Sequence, residues 1–118
     1  MPALPFAILL LTLLLALHLV EEVRTGFRAR APLGPMSRRV FVVANVGVYI
    51  FCAATFALAL RGHPAAAPMA WVLAVGNLLN GLGHIGLMIR ARGYFPGGVT
   101  AFLLIPAALV LARVLLAA

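Results

Sequence analysis

Apolar residues fill four long stretches of this chain, and polar residues gather in the three breaks between them. The apolar runs cover residues 3–20, 40–60, 68–89 and 97–118. A helix needs about 20 apolar residues to cross roughly 30 Å of hydrocarbon, and each run is near that length. The pattern therefore predicts four transmembrane helices, over about 3–23, 39–60, 66–90 and 96–117.

Proline and glycine mark the breaks, which indicates tight turns rather than further elements. The composition agrees, because 65% of the 118 residues are hydrophobic and only 9% are charged, against about a quarter charged in soluble domains. We therefore predict an all-α fold: an integral membrane four-helix bundle with short loops, forming a single domain over residues 1–118.

The charge pattern predicts an orientation in the membrane. Every basic residue apart from three histidines is arginine, and the net charge is +7. The first and third connections hold seven of the arginines: Arg24, Arg28, Arg30, Arg38, Arg39, Arg90 and Arg92. Positive charge favours the cytoplasmic side, so we expect both termini on the extracytoplasmic side. The arginines flank apolar runs without interleaved aromatics, so we expect no nucleic-acid partner.

Polar side chains also occur inside the predicted helices. His18, Glu21 and Glu22 share one face of the first helix, because at 100° per residue both acids lie within about 60° of the histidine. Asn77, Asn80 and His84 form a stripe on the third helix, and Asn45 lies on the second. His18, Asn45 and His84 are each six residues from an arginine, or about 9 Å along a helix. The pattern predicts one polar layer on the Arg-rich side.

Neutral histidine nitrogen and carboxylate oxygen are a ligand set for zinc or iron(II). We predict that His18, Glu22 and His84 bind a divalent metal ion, with Glu21 as a catalytic base or further ligand. The three asparagines of the layer would orient ligands or substrate. Two alternatives need no metal: a buried glutamate can act as a general base, or the polar groups can simply bond to each other.

The segment that opens the fourth helix carries its own chemistry. Tyr94 is a typical interface anchor, and Pro96 and Gly97 turn the chain into the helix. Thr100 then lies one turn inside, where it could cap the helix, bond a ligand or bond its own backbone. We predict Tyr94 and Thr100, together with Glu21, as candidate catalytic residues.

A glycine pattern in the third helix resembles a dinucleotide fingerprint. Gly81, Gly83 and Gly86 have the right spacing, but they lie in an apolar span with no preceding strand. We therefore expect no nucleotide cofactor. These glycines and Gly76 are predicted instead to permit close helix packing.

Three motifs in order carry a resemblance to a known family. His18-Leu19-Val20-Glu21-Glu22, Asn80-Gly81-Leu82-Gly83-His84 and Tyr94-Phe95-Pro96-Gly97-Gly98-Val99-Thr100-Ala101 together resemble the HXXEE family of small bacterial membrane proteins. That family has no established reaction, so the resemblance supports the choice of residues and leaves the activity open. It is consistent with a multi-pass protein of the cell inner membrane.

The leading hypothesis is a metal-binding membrane protein, acting as a metal-dependent hydrolase or oxidoreductase on a lipid-like or apolar small molecule that enters from the bilayer. Membrane lipid is then its principal partner, and a homodimer is the expected assembly if four thin helices leave little internal room. Two alternatives stay open: a small proton-coupled transporter that uses Glu21 or Glu22, and a structural subunit whose polar layer specifies helix packing.

Overall fold

Four long helices make up most of the chain in a computed structural model, which describes residues 2–118. They are α1 (Ala3–Thr25), α2 (Arg38–Leu60), α3 (Ala66–Ala91) and α4 (Gly98–Leu116), and a short 3-10 turn covers Phe27–Arg30. No strand occurs within residues 2–118, and all four helices are long and apolar enough to cross a membrane. The all-α, four-helix prediction is confirmed, whereas the side on which the termini lie stays a prediction.

Two connections differ from the expectation. The fourth helix begins at Gly98 rather than 96, because Gly97 takes a left-handed conformation with φ of 90° and ends the turn. The first connection covers residues 26–37 and includes the 3-10 turn, so it is slightly shorter than the 24–38 that the predicted helix ends imply. Ser37 then caps α2 by accepting a hydrogen bond from the Val40 backbone at 3.2 Å.

Helices α1, α3 and α4 form the packed core of the bundle. Their inward faces bury Ile8 and Leu11 from α1 and Leu104 and Leu111 from α4. Large apolar side chains also point outward, and Leu79 is 63% exposed. A helix that is apolar on every side is suited to lipid rather than water, so the outer surface agrees with a membrane protein.

One glycine sets the distance between α3 and α4. A Cβ atom at Gly81 would lie 2.7 Å from Cγ1 of Ile105 and 3.2 Å from the Ala101 carbonyl oxygen, so only glycine fits. The prediction of close packing is wrong for the other three glycines of this helix. Gly76, Gly83 and Gly86 face open space, because their positions lie on exposed parts of α3.

Helix α2 is attached mainly through its second half. Its buried residues are Phe41, Cys52, Thr55 and Ala59, so only Phe41 is buried at the Arg-rich end. The contacts of α2 with α1 and α3 are much less extensive than those of α4 with the same two helices. The bundle is therefore tight around α4 and open beside the first half of α2.

Candidate metal centre

Three buried side chains converge where α1 ends and α3 ends. His18 and Glu22 lie one turn apart on α1, and His84 reaches them from α3. The Nε2 atoms of His18 and His84 each lie 3.1 Å from Oε1 of Glu22. The three residues are 2%, 8% and 5% exposed, respectively. The fold therefore brings the three residues together from two helices, as the sequence predicts.

The spacing of these donor atoms suits a metal ion. One ligand atom from each residue lies within 4.8 Å of the others, so the group could hold a metal ion. Donors about 2.0–2.2 Å from a tetrahedral zinc are roughly 3.3–3.6 Å apart. The two measured separations of 3.1 Å are close to that value. His18 Nε2 makes no well-directed hydrogen bond within the described chain, although it lies beside Glu22.

A hydrogen-bond chain determines which nitrogen of His18 carries its proton. Thr100 Oγ1 lies 2.6 Å from Oε1 of Glu21 and 2.7 Å from Nδ1 of His18. A carboxylate only accepts, so Thr100 donates its single proton to Glu21 and accepts from His18 Nδ1–H. In neutral His18 the Nε2 atom then presents a lone pair toward Glu22. Two acceptors facing each other in a buried site need a cation between them, either a proton or a metal ion.

Glu21 fastens α1 to the start of α4. Its carboxylate accepts hydrogen bonds from the Val99 and Thr100 backbone N–H groups at 3.1 and 2.7 Å and from the Tyr94 hydroxyl at 2.5 Å. The first turn of a helix has free N–H groups and favours negative charge, and Gly97 provides no side-chain cap. Glu21 therefore takes over the capping role from a neighbouring helix.

Tyr94 lies outside the helices, where 45% of its surface is exposed. Desolvation and the bond to Glu21 raise the pKa of its hydroxyl. The hydroxyl therefore stays protonated, and remains a donor to Glu21, across the neutral pH range. Its hydroxyl is linked to the site through the hydrogen bond to this carboxylate.

Gly97 lies directly against both imidazoles. A Cβ atom there would be 2.6 Å from Nδ1 of His84 and 2.9 Å from Cε1 of His18. Its φ of 90° also lies in the region that disfavours other residues. The turn before α4 thus forms one wall of the site and leaves room for the histidine rings.

Aromatic rings cover the site toward the Arg-rich end. The two imidazoles meet edge to face with centroids 4.6 Å apart. Phe27 from the 3-10 turn lies 5.4 Å from the His84 ring, and Phe95 lies 6.3 Å from it. The Arg30 guanidinium stacks over Phe95 at 4.9 Å. Sequence reasoning missed both phenylalanines and this role of Gly97, although Phe95 adjoins the Pro-Gly turn that it recognised.

A cleft beside the three site residues opens on the lateral surface of the bundle. This lateral cleft, about 510 Å³ in volume, lies between α1, α2 and α3 and is lined by His18 and Glu22. Its outer edge consists of exposed residues, Val48 on α2 and Gly76 on α3 among them. The cleft therefore connects Glu22 with the lateral surface of the bundle.

The three predicted asparagines line this cleft. Asn45 and Asn77 each donate to a carbonyl of their own helix at 2.9 Å, Phe41 and Leu73 respectively. Asn80 makes no side-chain hydrogen bond within residues 2–118. None of the three bonds to His18, Glu22 or His84 in that part of the chain, so their predicted role in orienting ligands or substrate stays a prediction.

The architecture and the buried group define a class: a four-helix membrane protein with a His-Glu-His cluster near one end of the bundle. The family described as "Protein of unknown function with HXXEE motif" matches residues 9–111, and the chain belongs to this family. The match covers all three motifs on which the resemblance was based. No curated protein and no solved structure gives a significant match to the chain.

Proposed function

We propose that this protein is a metal-dependent enzyme of the membrane, in which His18, Glu22 and His84 bind zinc or iron(II) and act on an apolar or lipid-like molecule. One observation carries the proposal. The atoms His18 Nε2 and Glu22 Oε1 lie 3.1 Å apart in a buried site, and each presents a lone pair to the other. We further propose the inner membrane as its location, with the Arg-rich end in the cytoplasm, since positive charge favours that side.

A site with three protein ligands is more typical of a catalytic metal site than of a structural one. Structural zinc sites are closed by four protein ligands, whereas catalytic sites leave a position for water or substrate. His-Glu-His is also the donor set of many open iron(II) sites. The lateral cleft supports the same reading, because it lies against two of the three ligands.

Glu21 and Thr100 orient the proposed metal ligand His18 through its other ring nitrogen, Nδ1. Metal-binding histidines usually donate their second N–H to a carboxylate or carbonyl, which fixes the ring and its tautomer. Here His18 donates to Thr100, and Thr100 donates to Glu21. We therefore propose Glu21 and Thr100 as positioning residues, with Tyr94 supporting Glu21; a direct catalytic step by any of them stays a prediction.

Metal content of the purified protein tests the proposal. Protein in neutral detergent is loaded from buffered zinc or iron(II), desalted and analysed by elemental mass spectrometry. We expect one metal ion per chain in the wild type and none in His18→Ala or His84→Ala. His63→Ala is the matched control, since His63 is exposed in the loop between α2 and α3 and should leave the metal content unchanged. A wild type that retains no metal, or alanine variants that retain it, would overturn the proposal.

A proton-coupled transporter is the second candidate, because the same two lone pairs can share a proton instead of a metal ion. It predicts a metal-free wild type and proton-driven flux in liposomes that is lost in Glu22→Gln. Metal binding without such flux would remove this candidate.

A further inference from the structure

The arginines at the end of the bundle that carries the site form no ion pair with a carboxylate within residues 2–118. Only Glu21 and Glu22 have acidic side chains. Glu21 is fully used at the start of α4, and the ion pairs found in residues 2–118 join Glu22 to His18 and His84. The seven guanidinium groups at this end are therefore available to anions from outside the chain.

Two of these arginines line a cavity that reaches the site. This basic cavity, about 510 Å³ in volume, is bounded by Arg28 after α1, by Arg38 at the start of α2, and by Glu22. Arg28 is half-buried, and its Nη1 atom donates to the Met36 carbonyl oxygen at 3.1 Å. That bond limits the freedom of the side chain, so an anion bound there loses less conformational entropy from the protein.

An apolar groove continues from the basic cavity along the outside of α1 and α2. The groove has a volume of about 490 Å³ and is lined largely by aliphatic side chains, among them Leu19, Val46 and Ile50. It shares Val23 and Val42 with the basic cavity. Together the two form one depression with a cationic end beside Glu22 and an apolar end toward the middle of the bilayer.

We propose that this depression binds an anionic lipid with a phosphate-monoester head group, with the phosphate on Arg28 and Arg38 and an acyl chain in the apolar groove. The inference rests on the proposed function, because it names the substrate class that would bring its head group beside the metal ligand Glu22. Charge complementarity carries it: guanidinium groups bind phosphate through paired, charge-assisted hydrogen bonds. A neutral lipid would fill the groove but leave both arginines without an anion.

Lipid binding to metal-free protein tests this inference separately from the metal proposal. Radiolabelled dioleoyl phosphatidic acid is titrated onto protein in neutral detergent with a chelator, and dioleoyl phosphatidylcholine and oleate serve as comparison ligands. We expect phosphatidic acid to bind about tenfold more tightly than either of these, the magnitude of one or two charge-assisted hydrogen bonds. Equal binding of phosphatidylcholine would overturn the inference, and equal binding of oleate would overturn the assignment of phosphate.

Paired arginine variants separate a site from general surface charge. Arg28→Gln with Arg38→Gln should remove the preference for phosphatidic acid. Arg24→Gln with Arg39→Gln removes the same charge from the same end, but neither residue lines the basic cavity. This control variant should keep the preference for phosphatidic acid. If the control loses the preference to the same extent, lipid binding depends only on overall charge and the inference fails.

A second pair tests the groove. Val46→Phe should fill it and weaken binding of phosphatidic acid about tenfold, through lost burial of a few methylene groups. Val43→Phe adds the same ring at an exposed position of α2 outside the groove and should have no effect. Equal affinities in both variants would overturn the acyl-chain assignment. His18→Ala should bind the lipid like the wild type, so failure of the metal proposal and failure of this inference are distinguishable.

Discussion

At the level of the site, α1 contacts its neighbours α4 and α2 in opposite ways. Glu21 joins α1 to α4 through three hydrogen bonds and to Tyr94 in the preceding turn through a fourth, and Gly97 seats that turn against both imidazoles. On the other side, the first half of α2 buries only Phe41 and leaves the lateral cleft open. The difference teaches that one junction fixes the His-Glu-His group in place, while the other leaves an opening beside it through which the proposed substrate would enter.

Breaking the tight junction at its closest contact should have the largest effect. Gly97→Ala places a methyl group against His84 and His18 at a φ that alanine disfavours, so we expect a loss of about 3 kcal/mol or more in unfolding free energy and no bound metal. Thermal unfolding and metal content measure this. Gly93→Ala is the control, because a Cβ atom there meets open space. Equal stability of the two variants would show that the turn is not tightly seated.

The two adjacent glutamates should separate stability from metal binding. Glu21→Gln puts an amide nitrogen among four donors, so we expect unfolding free energy to fall by about 2 kcal/mol in metal-free protein. Glu22→Gln faces no helix N-terminus and should change it by less than about 1 kcal/mol at pH 8, while abolishing metal binding. Chelated protein in detergent is the sample. If Glu22→Gln is the more destabilising, the assignment of roles is reversed.

The hydroxyl between Glu21 and His18 should have a smaller effect on stability. Thr100→Val keeps the shape but leaves His18 Nδ1–H without an acceptor, so we expect metal affinity to fall by about 10- to 100-fold and stability by about 1 kcal/mol. Competition with a metal chelator measures the affinity. Thr100→Ser should restore it, and Thr55→Val, whose hydroxyl bonds its own helix, should leave it unchanged. Failure of serine to rescue would limit Thr100 to packing.

The sequence predicts the fold and the meeting of His18, Glu22 and His84 for simple reasons. Apolar runs of membrane length require helices, and counting residues from the flanking arginines sets His18 and His84 at one depth. The sequence-based prediction groups Glu22 with the two histidines, as the structure does, but the contact of Glu21 with the start of α4 was not predictable in this way. Both glutamates flank His18 on the helical wheel, and which one meets α3 or α4 depends on how the helices are arranged around α1.

The open side of the bundle was also beyond the sequence. Helix α2 is as apolar as the others, and nothing in its pattern distinguishes Val46, which lines the apolar groove, from Val43, which does not. Lipid and protein interiors are both apolar, so hydropathy does not separate a packed face from one left to lipid. Phe27 and Phe95 were missed for a related reason, because apolar residues in connections carry no periodic signal.

The open side of the bundle, between α1, α2 and α3, should tolerate an added side chain that the tight junction of α1 with α4 does not. Gly76→Leu places a large side chain at the edge of the lateral cleft, where a Cβ atom meets nothing within 4 Å. We expect little change in unfolding free energy or metal content, because leucine favours a helix more than glycine by up to about 1 kcal/mol and displaces no protein contact.

Access of an apolar molecule to the metal should nevertheless be reduced by Gly76→Leu. The measurement is the rate at which a membrane-soluble thiol quenches the signal of bound cobalt(II), which should be slower in this variant. Gly83→Leu, exposed on the same helix but outside the cleft, is the control. Equal quenching in both variants would mean that the cleft is not the route to Glu22, whereas marked destabilisation by Gly76→Leu alone would mean that α2 closes over it.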